Sequence, residues 1–329
     1  MRYRLLGRTG LYVSELCLGT MTFGGVEGMW KIVGDLDQQA STALVKQAFD
    51  AGVNFIDTAN VYAFGRAETI TGQAIRTLGL PRDELVIATK ASNVMDARSS
   101  LRRLQLDHID LYQLHGFDPM TPMDEVLCTL NDMVRSGKVR SIGLCNMAAW
   151  QIMKGLAISD KQGWARFESV QAYYTVAGRD LEREVVPLLQ DQQLGLMVWS
   201  PLAGGLLSGK FHPDGSGPEG ARRASFDFPL VDKPRAFRCV DVMRPIAEGH
   251  QVSVARVALA WLLSRRQVTS VILGARTPAQ LADNLGASEL TLSPQELQAI
   301  DEVSALPSEY PGWMIERQGA QRRAAPEGP

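Results

Sequence analysis

The chain has 329 residues, 45% hydrophobic and 21% charged, with 34 basic side chains against 36 acidic ones for a formal net charge of −2. That length suits two ordinary domains or one large α/β barrel. The even charge balance argues against a nucleic-acid partner, which needs a basic face, and the longest purely apolar run, Val257 to Leu263, is far too short to span a bilayer.

The chain begins Met1-Arg2-Tyr3-Arg4, without the apolar core of a signal peptide. The four cysteines, Cys17, Cys128, Cys145 and Cys239, are scattered and form no C-x-x-C pair. Reduced thiols in a cytoplasmic protein are the expectation, with no membrane partner and no metal.

In chain order, a short hairpin comes first, Tyr3–Leu6 and Tyr12–Val13 around Gly7-Arg8-Thr9-Gly10. Eight strand candidates follow: Glu15–Leu18, Asn54–Ile56, Leu85–Thr89, Ile109–Leu114, Val139–Leu144, Phe167–Gln171, Leu194–Trp199 and Val268–Leu273. Amphipathic segments separate them, among them Gln38–Asp50, Ala67–Thr77, Ser99–Leu104, Met123–Arg135, Ala148–Ile158, Leu181–Gln190 and Pro278–Leu285. The seventh unit has two, Ala236–Glu248 and Val252–Ser264. In the latter, Val254, Val257, Ala258, Trp261 and Leu262 follow a helical stripe.

Strands alternating with helices imply a parallel sheet under helices, and eight such units favour closure into a (β/α)8 barrel. The hairpin could plug its N-terminal mouth. Ser293-Pro294-Gln295-Glu296 carries the cap, proline and capping-box glutamate of one further helix. The tail beyond Pro307 is polar and rich in Gly, Pro and Arg, and reads as an irregular arm. No internal repeat or linker divides the chain, so a single domain over 1–329 is expected. The connection after Trp199 runs through Pro201 to about Lys233 with many Gly and Pro residues. A loop that long is functional or disordered more often than not.

On such a barrel the chemistry sits where strands end. Strand two ends on Asp57, with Tyr62 in the next loop. The following strands end in Thr89-Lys90, Gln113-Leu114-His115, Cys145-Asn146, Gln171 and Trp199-Ser200. Taken singly these have bland readings: an Asp capping a helix, a solvated Lys, a structural His. Together they are hard to dismiss, because closure brings the ends of strands two, three and four side by side.

With this constellation come the stretches "LCLGTMTFGG", "FIDTANVY", "ATK", "LYQLHGFDP", "SGKVRSIGLCN", "WSPLAGGLLSGK" and "GARTPAQLADN". In these, and in their order, the chain resembles the aldo-keto reductase superfamily of NAD(P)H-dependent barrel oxidoreductases, most closely bacterial members akin to the potassium-channel β-subunit branch. The resemblance covers nearly the whole chain. It implies Tyr62 as the acid that protonates the carbonyl oxygen, Lys90 as the ammonium that lowers the tyrosine pKa from about 10, Asp57 as the anchor of Lys90, and His115 as a hydrogen-bond donor to the carbonyl.

For the cofactor the resemblance implies an extended NADPH (NADP+) across the barrel mouth, near Gly19, Thr20, Met21 and Asp57. Trp199 would stack on the nicotinamide, with Asn146 and Gln171 on its carboxamide. Ser200, Pro201, Leu202, Gly205, Leu207, Gly209 and Lys210 would cover the pyrophosphate. Gly274, Arg276, Gln280, Asp283 and Asn284 would hold the adenosine 2′-phosphate end, with Arg276 the main source of preference for NADPH over NADH. Phe23, Trp30, Phe64 and Phe117 are candidates for an apolar substrate pocket, against the alternative that some simply pack the loops.

Other chemistries fail on sequence. No G-x-G-x-x-G joins a strand to a helix. Gly204 to Lys210 fits G-x-x-x-x-G-K, but Phe211 stands where an NTPase needs a hydroxyl. The four histidines (His108, His115, His212, His250) form no H-x-H or H-E-x-x-H arrangement.

One departure stands out. Only eighteen residues separate Lys90 from Ile109, so the third strand-to-helix connection is expected either to be the shortest on the catalytic face or to be broken between Lys90 and Ala97. Two functions are expected to compete: an NADPH-dependent reductase of aldehydes and ketones, and a cofactor-sensing regulatory subunit with little turnover. The partner is a small carbonyl substrate in the first case. A homo-oligomer is left open.

Overall fold

The computed structural model describes residues 1–91, 97–218 and 221–323. Two strands, β1 (Tyr3–Leu5) and β2 (Tyr12–Ser14), form an antiparallel hairpin. Eight parallel strands close into a barrel: β3 (Leu16–Gly19), β4 (Phe55–Asp57), β5 (Val86–Ala91), β6 (Ile109–Leu114), β7 (Val139–Cys145), β8 (Phe167–Tyr173), β9 (Gly195–Trp199) and β10 (Val268–Leu273), with β10 pairing back onto β3. All eight lie where the apolar runs predicted them, and the fold is a (β/α)8 barrel with an N-terminal hairpin.

Two apolar layers follow from the period of two along each strand. Inside the barrel, Cys17, Phe55, Val86, Ala88, Leu111, Met197 and Ile272 pack with Leu6 and Val13 of the hairpin, which closes the N-terminal end. The alternate residues, Ile56, Ile87, Tyr112 and Val198 among them, face the helices in the larger core.

Local signals explain the helix starts. Asp37, Ser253 and Thr277 each accept a hydrogen bond from a first-turn N–H. Ser293 and Glu296 form the expected reciprocal capping box ahead of Pro294–Ser304. The tail departs from expectation: Gly312–Arg323 is helical. Gly319 apart, most of its interior residues from Met314 to Arg323 are good helix formers, and the Pro-Gly pair that suggested a loop lies at its start.

Residues 92–96, at the compressed junction after Lys90, lie outside the described residues. The expectation for the third connection falls on these residues and so lies outside the described part of the chain.

Candidate active site

Continuing the inward register of β5 from Val86 and Ala88 gives Lys90, and that of β4 from Phe55 gives Asp57. In β6 it gives Gln113, opposite Lys90, and in β8 it gives Gln171, opposite Cys145. The apolar interior thus ends, at its C-terminal mouth, in a polar layer contributed by neighbouring strands.

Lys90 is fully buried and donates from Nζ to Asp57 Oδ2 at 2.5 Å, to the Thr58 carbonyl at 2.8 Å and to Tyr62 Oη at 3.2 Å. The other carboxylate oxygen of Asp57 accepts from Gln113 Nε2 at 3.1 Å and Gln171 Nε2 at 2.9 Å. Every ammonium donor and both carboxylate oxygens are therefore engaged, the condition under which a buried pair is tolerated. Tyr62 stands in a 3-10 turn, Tyr62–Gly65, whose Ala63 and Phe64 adopt positive φ. Its ring lies 5.8 Å from that of His115, edge-on, and 5.7 Å from that of Trp30.

The electrostatics follow. Burial pulls the Lys90 pKa down, but Asp57 and Tyr62 outweigh it and hold the ammonium above the ordinary lysine value. At Tyr62, by contrast, burial dominates and pushes the phenol up, although Lys90 pulls it down. Lys90 thus lowers the phenol as expected, but desolvation of the phenolate outweighs the nearby cation. His115 is pulled down to about 3 by burial and by the Lys90 charge, so its imidazole is neutral near pH 7. Burial also raises the Cys17 and Cys145 thiols, which stay protonated.

Further round the mouth, Asn146 adopts a positive φ and links two strand ends. Its amide donates to the His115 carbonyl at 3.3 Å and accepts from Trp199 Nε1 at 2.9 Å. Trp199 is flanked by Tyr173 at 5.2 Å and by Phe228, nearly parallel at 5.9 Å. Phe228 comes from the long connection after β9, which also carries a turn at Ala203–Ser208 and the short helix Arg222–Ser225.

Several anticipated residues have other partners. The Arg276 guanidinium donates to the carbonyls of Ile32 and Val33, at the end of the helix Gly28–Val33. Its backbone N–H is taken by Gln280 Oε1 at 2.9 Å. Asp283 pairs with Arg256 at 3.1 Å and Ser253 at 2.6 Å. Asn284 and Leu207 are buried. Met21, Ser200, Leu202 and Gly209 are half-buried, Lys210 and Gly274 are exposed, and Pro201 is buried. Phe23 is fully buried in the core, so it packs the fold and lines no open pocket. Phe64 is 69% exposed. Phe117 lies in a separate surface groove with Met120 and Trp150. Among the four pocket candidates, only Trp30 has a ring contact with Tyr62.

Sequence reading assigned no role to Gln113, although the alternation of β6 turns it inward with Leu111. It also passed over Arg222 and Arg223. Their guanidinium groups converge beside Gly204, where a built Cβ lies 2.8 Å from Arg223 Nη1 and 3.5 Å from Arg222 Nη2. Nothing local in a long irregular connection signals that.

The closed parallel barrel is a (β/α)8 fold, a class whose active sites lie at the C-terminal strand ends, and here that mouth holds a buried lysine–carboxylate pair. The chain belongs to the Aldo/keto reductase family, whose model matches residues 15–305, and is an oxidoreductase. It is similar to an "Uncharacterized oxidoreductase YrpG" of Bacillus subtilis, 37% identical over 92% of this chain and 96% of the relative. It is 34% identical to a "Probable voltage-gated potassium channel subunit beta" of Oryza sativa, over 92% of this chain and 96% of the relative. An "NADH-specific methylglyoxal reductase" of Escherichia coli is 31% identical, over 91% and 97%.

Proposed function

We propose that this chain is an NADPH-dependent reductase that converts aldehydes or ketones to alcohols, with Tyr62 as proton donor. The observation that carries the reading is Lys90 bonded at once to Asp57 and to Tyr62. The chemistry that NADPH would supply when bound at the barrel mouth is hydride transfer to the carbonyl carbon. Tyr62 Oη gives its proton to the carbonyl oxygen, and the phenolate left behind is stabilised by the Lys90 ammonium at 3.2 Å. The raised pKa of the phenol keeps that donor loaded at neutral pH. Neutral His115, edge-on to the tyrosine ring, donates a second hydrogen bond that orients the carbonyl.

The mouth fits a phosphorylated dinucleotide. Thr20 Oγ1 is buried with no hydrogen-bond partner among the described residues, a site for a ligand donor or acceptor. Arg222 lies in the field of both Arg276 and Arg223, a like-charge cluster that an anion would relieve. Trp199 offers a ring for the nicotinamide, on a face that Phe228 now flanks. The 2′-phosphate preference rests on Arg276 with Arg222. A relative with NADH in its name makes that preference a matter for measurement.

The same reading takes residues 1–329 as one reductase unit working on small molecules in the cytoplasm. The test is a panel of aldehydes and ketones followed by NADPH absorbance beside NADH. Steady turnover is the expected result. Tight NADPH binding without turnover would instead make the chain a cofactor-sensing subunit.

A further inference from the structure

The helix Ala97–Leu104, which follows the compressed junction after Lys90, packs unusually close to its neighbour. A Cβ built at Gly72 would lie 2.3 Å from the Leu104 carbonyl oxygen. Through that contact the helix Ala97–Leu104 lies directly against the helix Arg66–Leu78, whose N-terminus is the turn carrying Tyr62. Arg103 extends from it to two places at once. Its Nε donates to Glu68 Oε2 at 2.6 Å, and Glu68, fully buried, accepts at Oε1 from Thr89 Oγ1 at 2.6 Å. Thr89 is the residue before Lys90. The same guanidinium lies over Gly65, the last residue of the Tyr62 turn, where a built Cβ would meet Arg103 Cδ and Nε at 2.9 Å. Gly65 has φ +89, a conformation glycine alone adopts freely.

Resting on the reductase reading, we propose that Arg103 is a positioning residue for the proton-donating pair, setting Lys90 through Glu68 and Thr89 and Tyr62 through Gly65. The two partners come from different elements, a strand and a strained turn, and their 3.2 Å contact depends on the spacing between those elements. Ala63 and Phe64 hold positive φ, conformations that persist only where the surrounding structure imposes them. A buried carboxylate between strand and helix, neutralised by one guanidinium that also rests on the turn, joins both positions. Thr89 faces the helices while Lys90 faces the barrel interior, so the control reaches the site from outside without touching substrate.

The test compares Arg103→Met and Thr89→Val with the unaltered chain in carbonyl reduction. Thr89→Val is nearly isosteric and removes one hydroxyl, so it keeps the test informative should Arg103→Met fold poorly. The expected result is a kcat lower by between about 10- and 100-fold, as for misplacement of reacting groups. The carbonyl KM and the NADPH Kd should stay within about twofold, since neither ligand loses a contact. The alkaline limb of the kcat profile should move to higher pH, because Lys90, once displaced, no longer helps the phenol ionise. A lowered melting temperature with kcat and the alkaline limb unchanged would make the network merely structural and overturn the proposal. Turnover by the unaltered chain with variants indistinguishable from it would sink this inference alone. No turnover by the unaltered chain would sink the reductase reading with it.

Discussion

Asp57 and Lys90 face each other at 2.5 Å in a site where both side chains are buried. The cation has no solvent to fall back on, so its charge depends on this carboxylate. Asp57→Asn leaves the ammonium without its counter-charge, and breaking one partner of a buried pair costs about 3–5 kcal/mol. The expected outcome is a lowered unfolding midpoint in denaturant together with a loss of carbonyl reduction. Gln113 and Gln171 still find an acceptor in the amide oxygen, which separates this change from loss of the whole network.

Tyr62→Phe removes one hydroxyl from a ring whose position Trp30 and His115 also define. Reduction of a simple aldehyde should fall by about 10²–10⁴-fold, the range typical of a positioned acid. NADPH binding, followed by quenching of tryptophan fluorescence, should be retained. A variant within a few-fold of the unaltered rate would show that Tyr62 is not the acid.

His115 has a folded-state pKa of about 3, against about 6.5 in the unfolded chain. Between those values the unfolded chain binds the proton and the folded one does not, so stability falls as pH is lowered from about 6.5 toward 3. His115→Asn removes that contribution and should flatten the acid loss of stability over this window, measured by denaturant unfolding at several pH values. The reduction rate should show no ionisation near 6.5 from this residue. A limb there that vanishes in the variant would mean the imidazole is charged when substrate binds.

Arg276 carries two expectations, because its guanidinium already holds the Ile32 and Val33 carbonyls. If it also contacts a 2′-phosphate, Arg276→Ala should weaken NADPH binding by about 10- to 100-fold, the equivalent of a charge-assisted hydrogen bond worth about 1.5–3 kcal/mol. NADH binding should then be nearly unchanged, and Arg222→Ala should show the same selectivity to a smaller degree. Equal losses for both cofactors would assign Arg276 to holding the helix Gly28–Val33.

Much of the fold was legible because its signals are local. An apolar run of strand length needs only its neighbours to be recognised. The alternation Val86, Ala88, Lys90 turns the lysine inward whatever lies around it, as Phe55 does for Asp57. Seven ordered motifs then joined these strand ends into one site. Phe23 was misjudged because a phenylalanine in a loop has the same local sequence whether it lines a pocket or fills a core. The helix Gly312–Arg323 was missed because it shows no apolar stripe, and composition at its start outweighed propensity along it.

The remaining features depend on distances between residues far apart in the chain. Arg103 meets Glu68 only because Gly72 lets two helices touch, and Arg222 comes into the field of Arg276 only through the fold of the connection after β9. The direction of the Tyr62 pKa was likewise a tertiary outcome. The sequence places a cation beside the phenol, but desolvation depends on how completely the surrounding elements exclude water. Here that exclusion prevails over the cation's pull, and no local pattern of residues measures it.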